Sequence, residues 1–164
     1  MLDGRREGRG ICLYSNGMLY EGEWKRNKEH GKGRLLTADR KRIIYEGDFE
    51  RGRIQGKGIY YYAQAENSLI QHRKPGTTPA TNTAANSKNS TMEDDDTDKG
   101  SRYEGDFKEN MRNGYGIYIL PDKSVYNGQW RENMMNGRGV FTWPDHSVYD
   151  GEWKDGKRYV RKNL

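Results

Sequence analysis

Residues 103–116 read YEGDFKENMRNGYG, and residues 20–33 read YEGEWKRNKEHGKG. The first five residues of each follow one formula: aromatic, acid, glycine, acid, aromatic. With an amide allowed for an acid, the formula recurs at Tyr45 to Phe49, Tyr126 to Trp130 and Tyr149 to Trp153. The starting tyrosines are separated by 25, 58, 23 and 23 residues. A second signal keeps the same register. Glycine pairs follow eleven and thirteen residues after the opening tyrosine: Gly31 and Gly33, Gly56 and Gly58, Gly114 and Gly116, Gly137 and Gly139. Gly8 and Gly10 hold the same relation to an earlier unit, so the register starts within a repeat. Such self-similarity marks a repeat architecture.

Within each formula the parity is period two, which belongs to a strand and not to a helix. Tyr20, Gly22 and Trp24 fall on one face, Glu21 and Glu23 on the other, and the same holds for Tyr45, Gly47 and Phe49, for Tyr103, Gly105 and Phe107, for Tyr126, Gly128 and Trp130, and for Tyr149, Gly151 and Trp153. A polar stretch such as KRNKEH reads as a connection, and the glycine pair opens a second strand over 31–36, so each unit is a β-hairpin. Asn16-Gly17, Pro121-Asp122 and Pro144-Asp145 mark the reversals between units. Gly22, Gly31 and Gly33 are expected on the ring-bearing face, where they leave room for an aromatic ring to lie against backbone. The fold class is therefore all-β, an elongated single-layer antiparallel array of hairpins that share rings between units.

The rest of the composition agrees with a thin layer. Only 32% of the 164 residues are hydrophobic, mean hydropathy is −1.23, and there are 21 glycines and 12 tyrosines. Apolar area must come from rings and from the carbon stems of long charged side chains. The net charge of +5 is a mild excess that suits anionic surfaces. Cys12 is the single cysteine, no apolar leader follows Met1, and no apolar run approaches the roughly 18 residues of a membrane span. These features point to a soluble cytoplasmic protein.

The pattern Y-E-G-E-W-K-x-x-K-x-H-G-K-G, with P-D-x-S before the next tyrosine, resembles the MORN (membrane occupation and recognition nexus) repeat over about residues 4–63 and 101–160. The resemblance implies a meandering hairpin scaffold of the kind found in cytoskeletal, ciliary and membrane-associated assemblies. Three regions follow: repeats over 1–63, an insertion over 64–100, and repeats over 101–164. The insertion accounts for the 58-residue interval, sits in an inter-repeat turn, and is rich in Thr, Asn, Ser and Pro, a composition that predicts disorder. A continuous array with this loop extruded is preferred to two separate rods, because lengthening a flexible loop costs only about 0.6 kcal/mol per doubling. Ser90 and Thr91, upstream of the acidic run Glu93 to Asp98, are its candidate phosphosites.

No catalytic constellation emerges. His30, His72, His146 and Cys12 lack metal-ligand spacing, the glycines lack the third glycine of a dinucleotide fingerprint and the GK[ST] of a P-loop, and the repeated carboxylates read as solvated. No cofactor is expected. Lys25, Arg26 and Lys28 in a hairpin connection, with Arg40, Lys41 and Arg42 in the next turn, are candidate contacts to anionic lipid if they align on one edge. Nucleic acid is not expected, since the aromatics occupy packing positions. The function read from sequence is a non-enzymatic scaffold that takes a protein partner, either a helix or another MORN chain, on its aromatic-lined face or edges, with self-association at open edges. Phosphoinositide targeting, or service as the regulatory segment of a larger enzyme such as a lipid kinase, is the alternative. Gly114→Val is expected to damage the sheet more than Glu104→Ala, by intruding on ring space.

Overall fold

The computed structural model describes residues 4–63 and 100–160. Eleven strands run in chain order: β1 (Gly8–Leu13), β2 (Leu19–Lys25), β3 (Lys28–Leu36), β4 (Ile43–Glu50), β5 (Arg53–Tyr61), β6 (Arg102–Lys108), β7 (Met111–Ile119), β8 (Val125–Arg131), β9 (Met134–Thr142), β10 (Val148–Lys154) and β11 (Lys157–Tyr159). Each pairs antiparallel with the next, giving one open sheet without crossovers. β5 pairs directly with β6 from Gly56↔Phe107 to Tyr61↔Arg102, so the sheet is continuous across the insertion. The base of that insertion is closed by Tyr62 N–H donating to Ser101 O, the same bond that Leu120 makes to Ser124 in an ordinary inter-repeat turn. Apart from residue 100, the expected disordered insertion, with Ser90 and Thr91, lies outside the described residues.

The formula and the glycine pairs meet in a single cross-strand row. Gly10, Gly22, Gly33, Gly47, Gly58, Gly105, Gly116, Gly128, Gly139 and Gly151 stand opposite one another in succession from β1 to β10. Each opening tyrosine folds across this row. Tyr20, Tyr45, Tyr103 and Tyr126 are wholly buried, although the sheet has no second layer among the described residues. A Cβ at Gly116 would lie 2.5 Å from Cε2 and Cζ of Tyr103, so the ring occupies the space a side chain would need. The hydroxyl then donates to the carbonyl three residues on: Tyr20 to Glu23 at 2.8 Å, Tyr45 to Asp48 at 3.0 Å, Tyr103 to Asp106 at 2.9 Å, Tyr126 to Gln129 at 2.9 Å.

The closing aromatics bind neighbouring units together. Tyr103 meets Phe107 of its own unit and Trp130 of the next edge-on, with centroids 5.0 and 5.2 Å apart. The indole N–H groups of Trp24, Trp130 and Trp153 donate to the carbonyls of Gly10, Gly116 and Gly139 in the preceding unit. Phe49 and Phe107 keep the ring contacts without that bond.

Two local expectations need correction. The hairpin connection is not the six-residue KRNKEH; it is the pair Arg26-Asn27, both in the left-handed region, and β3 already begins at Lys28. Arg51-Gly52, Glu109-Asn110, Glu132-Asn133 and Asp155-Gly156 repeat this geometry, the backbone of a two-residue type I′ hairpin turn. The first glycine of each pair also faces away from the rings. Gly31, Gly56, Gly114 and Gly137 have φ of 57°, 82°, 105° and 86°, and a Cβ on them would strike Glu23, Asp48, Asp106 and Gln129 respectively. They sit at bulges where the β2–β3, β4–β5, β6–β7 and β8–β9 ladders shift register. Valine at position 114 therefore meets backbone strain and Asp106, not ring space.

Gly116→Val, which does intrude on Tyr103, is expected to abolish cooperative melting of the repeats over 101–160. Tyr103→Phe should cost about 1 kcal/mol for its lost hydrogen bond, and Glu104→Ala less than about 0.5 kcal/mol. Thermal melts followed by circular dichroism check the order, which fails if Glu104→Ala is as harmful as Gly116→Val.

Candidate interaction groove

Strand alternation sends the second and fourth residues of each formula to the face opposite the rings. The fourth is held tightly. Glu23, Asp48, Asp106 and Gln129 accept backbone N–H bonds from Lys32, Lys57, Tyr115 and Arg138 at 3.2, 3.0, 2.9 and 2.8 Å, across the bulges that their glycines make. These side chains are clasps within the sheet, so they are not the simply solvated acids that repetition suggested. Lys57 Nζ also reaches Asp106 at 2.8 Å, and Lys32 Nζ reaches Asp48 at 2.5 Å.

These contacts lower both aspartate pKa values. For Asp106 the Lys57 hydrogen bond is the main cause, joined by the Tyr115 N–H and the Lys57 charge, against a partial burial that raises it. For Asp48 partial burial is the largest single effect and raises the pKa, but the Lys32 bond, the Lys57 N–H and the Lys32 charge together outweigh it.

Between the clasps and the second residues of the formula, the glycine row forms the floor of a groove of about 1000 Å³ that crosses the strands from β1 to β8. One bank carries Arg9, Lys32, Lys57 and Tyr115. The other carries the cross-strand series Ile11, Glu21, Arg34, Glu46, Ile59, Glu104, Ile117 and Asn127. From β4 onward this series alternates acid or amide with an apolar residue, and the ladder continues it with Val140 and Asp150. Ile11, Tyr115 and Ile117 are 62%, 55% and 38% exposed, unusually open for residues of their size.

The apolar residues of this series, Ile11, Ile59, Ile117 and Val140, were not singled out from the sequence. Their signal was the residue that follows each second glycine: Ile11, Ile59, Ile117 and Val140, against Arg34 in the remaining unit. The basic residues chosen instead are not brought together. Lys25, Arg26 and Lys28 lie at one end of β3 and Arg40, Lys41 and Arg42 beyond its other end, roughly 30 Å away at the rise of a nine-residue strand. The two clusters occupy opposite edges of the sheet and form no common stripe. The aromatic face is filled mostly by its own rings. Among the described residues, no group of three or more His, Cys, Asp or Glu is placed to hold a metal ion.

The model of the MORN repeat family matches residues 1–19, 20–42, 45–64, 103–125, 126–148 and 149–158, well over half of the chain. None of the curated proteins compared with it matches.

The clasps predict the response to acid. An aspartate held below its unfolded pKa of about 3.9 stabilises the fold at higher pH, and that contribution is lost as pH falls through the folded value. Melting temperature should hold from pH 7 to about pH 5 and drop below pH 4. Asp48→Asn with Asp106→Asn, which copies the amide clasp of Gln129, should start lower and drop less. Parallel acid profiles for the two proteins would remove the aspartates from the cause.

Proposed function

We propose, for a chain that belongs to the MORN repeat family, that it is a non-enzymatic scaffold whose polar-face groove receives an extended segment of a protein partner. The observation that carries this reading is the exposed apolar series in a groove whose remaining walls are charged. Isolated exposed apolar residues are ordinary, whereas apolar groups aligned along a concave surface with a charged rim suit protein recognition. The ring-bearing face spends its apolar area on the sheet itself.

The spacing favours an extended occupant. Ile59, Ile117 and Val140 stand on every second strand, which at about 4.8 Å per strand gives a repeat of roughly 9.6 Å. Three residues of a polyproline II segment, one full turn, rise about 9.3 Å and return every third side chain to the same face, so such a segment stays nearly in step. The seven residues of two helical turns rise about 10.5 Å and overshoot by nearly 1 Å per unit. Glu46, Glu104, Asn127 and Asp150, interleaved at the same interval, supply acceptors for basic residues of the partner.

A photo-crosslinking amino acid at position 117 or 59, introduced in native cells, should capture one partner through a short defined peptide. The same group at Met134, exposed at a hairpin tip, should not. Equal capture from Met134, or none from 59 and 117, would defeat the groove as the docking surface.

A further inference from the structure

The repeats share a position just after each hairpin tip, occupied in turn by Arg6, Glu29, Ile54, Arg112, Met135 and Arg158. Three of these are arginines, and all three place their guanidinium on rings. Arg6 lies 4.1 Å from the Trp24 centroid and donates through Nη2 to Asn27 O. Arg112 lies 4.4 Å from Trp130 and 5.2 to 5.8 Å from Tyr118, Tyr103 and Tyr62, and its Nη2 donates to Asn133 O. Arg158 lies 5.7 and 5.8 Å from Trp143 and Tyr149. Three units thus hold a guanidinium against rings on the ring-bearing face, and the chain itself shows that this group fits there.

The box at Glu29 departs from this in two coupled ways. By repeat register its walls are Tyr14, Tyr20, Leu35 and Phe49, the counterparts of Tyr62, Tyr103, Tyr118 and Trp130 around Arg112. Leucine replaces the ring found at Tyr60 and Tyr118, and a carboxylate replaces the guanidinium. A notch of about 350 Å³ results, lined by Tyr14, Glu29, Leu35, Phe49, Ile54 and Asn110 among others. Its volume equals that of roughly ten waters. The Tyr14 hydroxyl donates to Glu29 Oε1 and fixes the carboxylate at the wall. Where three units bring their own guanidinium, and two an isoleucine or a methionine, this one brings an anion and leaves the space open.

We infer that the Glu29 notch is a binding site for an arginine side chain supplied by a partner protein. The planar guanidinium is weakly hydrated, stacks on aromatic faces and forks onto a carboxylate, whereas an ammonium offers only a strongly hydrated point charge. The inference is independent of the groove reading, because the notch opens on the opposite face of the sheet.

The test uses the full ¹⁵N-labelled chain and N-acetyl-arginine methylamide as the probe, with the lysine and citrulline equivalents beside it. The arginine probe should shift the amides of Tyr14, Glu29, Phe49 and Ile54, saturating in the low-millimolar range. Glu29→Gln, which keeps an acceptor for Tyr14, should weaken this at least tenfold at an unchanged melting temperature. Leu35→Tyr, which restores the wall found in other units, should abolish it by filling the notch. An equal response to citrulline or to lysine, an equal response from Glu29→Gln, or no shift at 50 mM probe would each overturn the assignment.

Discussion

A tyrosine ring laid flat over glycine backbone is the contact on which the sheet depends. Single-layer sheets normally lack anything to bury against, since a side chain standing off the surface needs a second layer to remove it from water. Here the ring lies down, and the sheet becomes its own second layer. That posture requires glycine at two cross-strand positions beneath the ring and an acceptor at its far end. The row from Gly10 to Gly151 provides the first, and the carbonyls at Glu23, Asp48, Asp106 and Gln129 provide the second. Remove the glycine and the tyrosine must stand up, which uncovers both.

The bulge that positions this carbonyl also turns the same residue's side chain into a clasp, so one site serves both faces. On the ring side its carbonyl anchors the tyrosine; on the groove side its carboxylate or amide binds the backbone of the returning strand. The left-handed glycine between them is needed because any Cβ would displace that side chain. Recognition on the groove face therefore rests on a floor fixed by packing on the other. Residues along the banks differ from unit to unit, and that difference distinguishes one unit of the groove from the next.

The sequence disclosed the architecture because its two periodicities, alternation within strands and 23 residues between units, each have a direct physical cause. Gly22, Gly33 and the opening tyrosines were legible from parity alone. Gly31 was not, since parity assigns it to the ring face and only the register shift at the bulge reverses it. The two-residue turns were hidden by the charged residues around them, although Asn27, Gly52, Asn110, Asn133 and Gly156 at each second turn position were the available cue. The groove was hidden for a different reason. Ile59 and Ile117 are distant in sequence, and only the continuity of β5 with β6 places them in one line.

The two long edges of the sheet are built to different rules. On one, the tips are two residues long and sewn to their neighbours: Asn110 and Asn133 exchange bonds with Ile54 and Arg112, and Gly52 and Gly156 donate to Glu29 and Met135. On the other, residues 14–18, 37–42, 62–101, 120–124 and 143–147 close with one N–H to carbonyl bond at the base, whatever the length beyond it. The sheet is thus a ribbon with a stitched hem and an open fringe. New sequence can be acquired along the fringe without disturbing the ladder, which makes that margin the place where otherwise similar hairpin arrays can diverge.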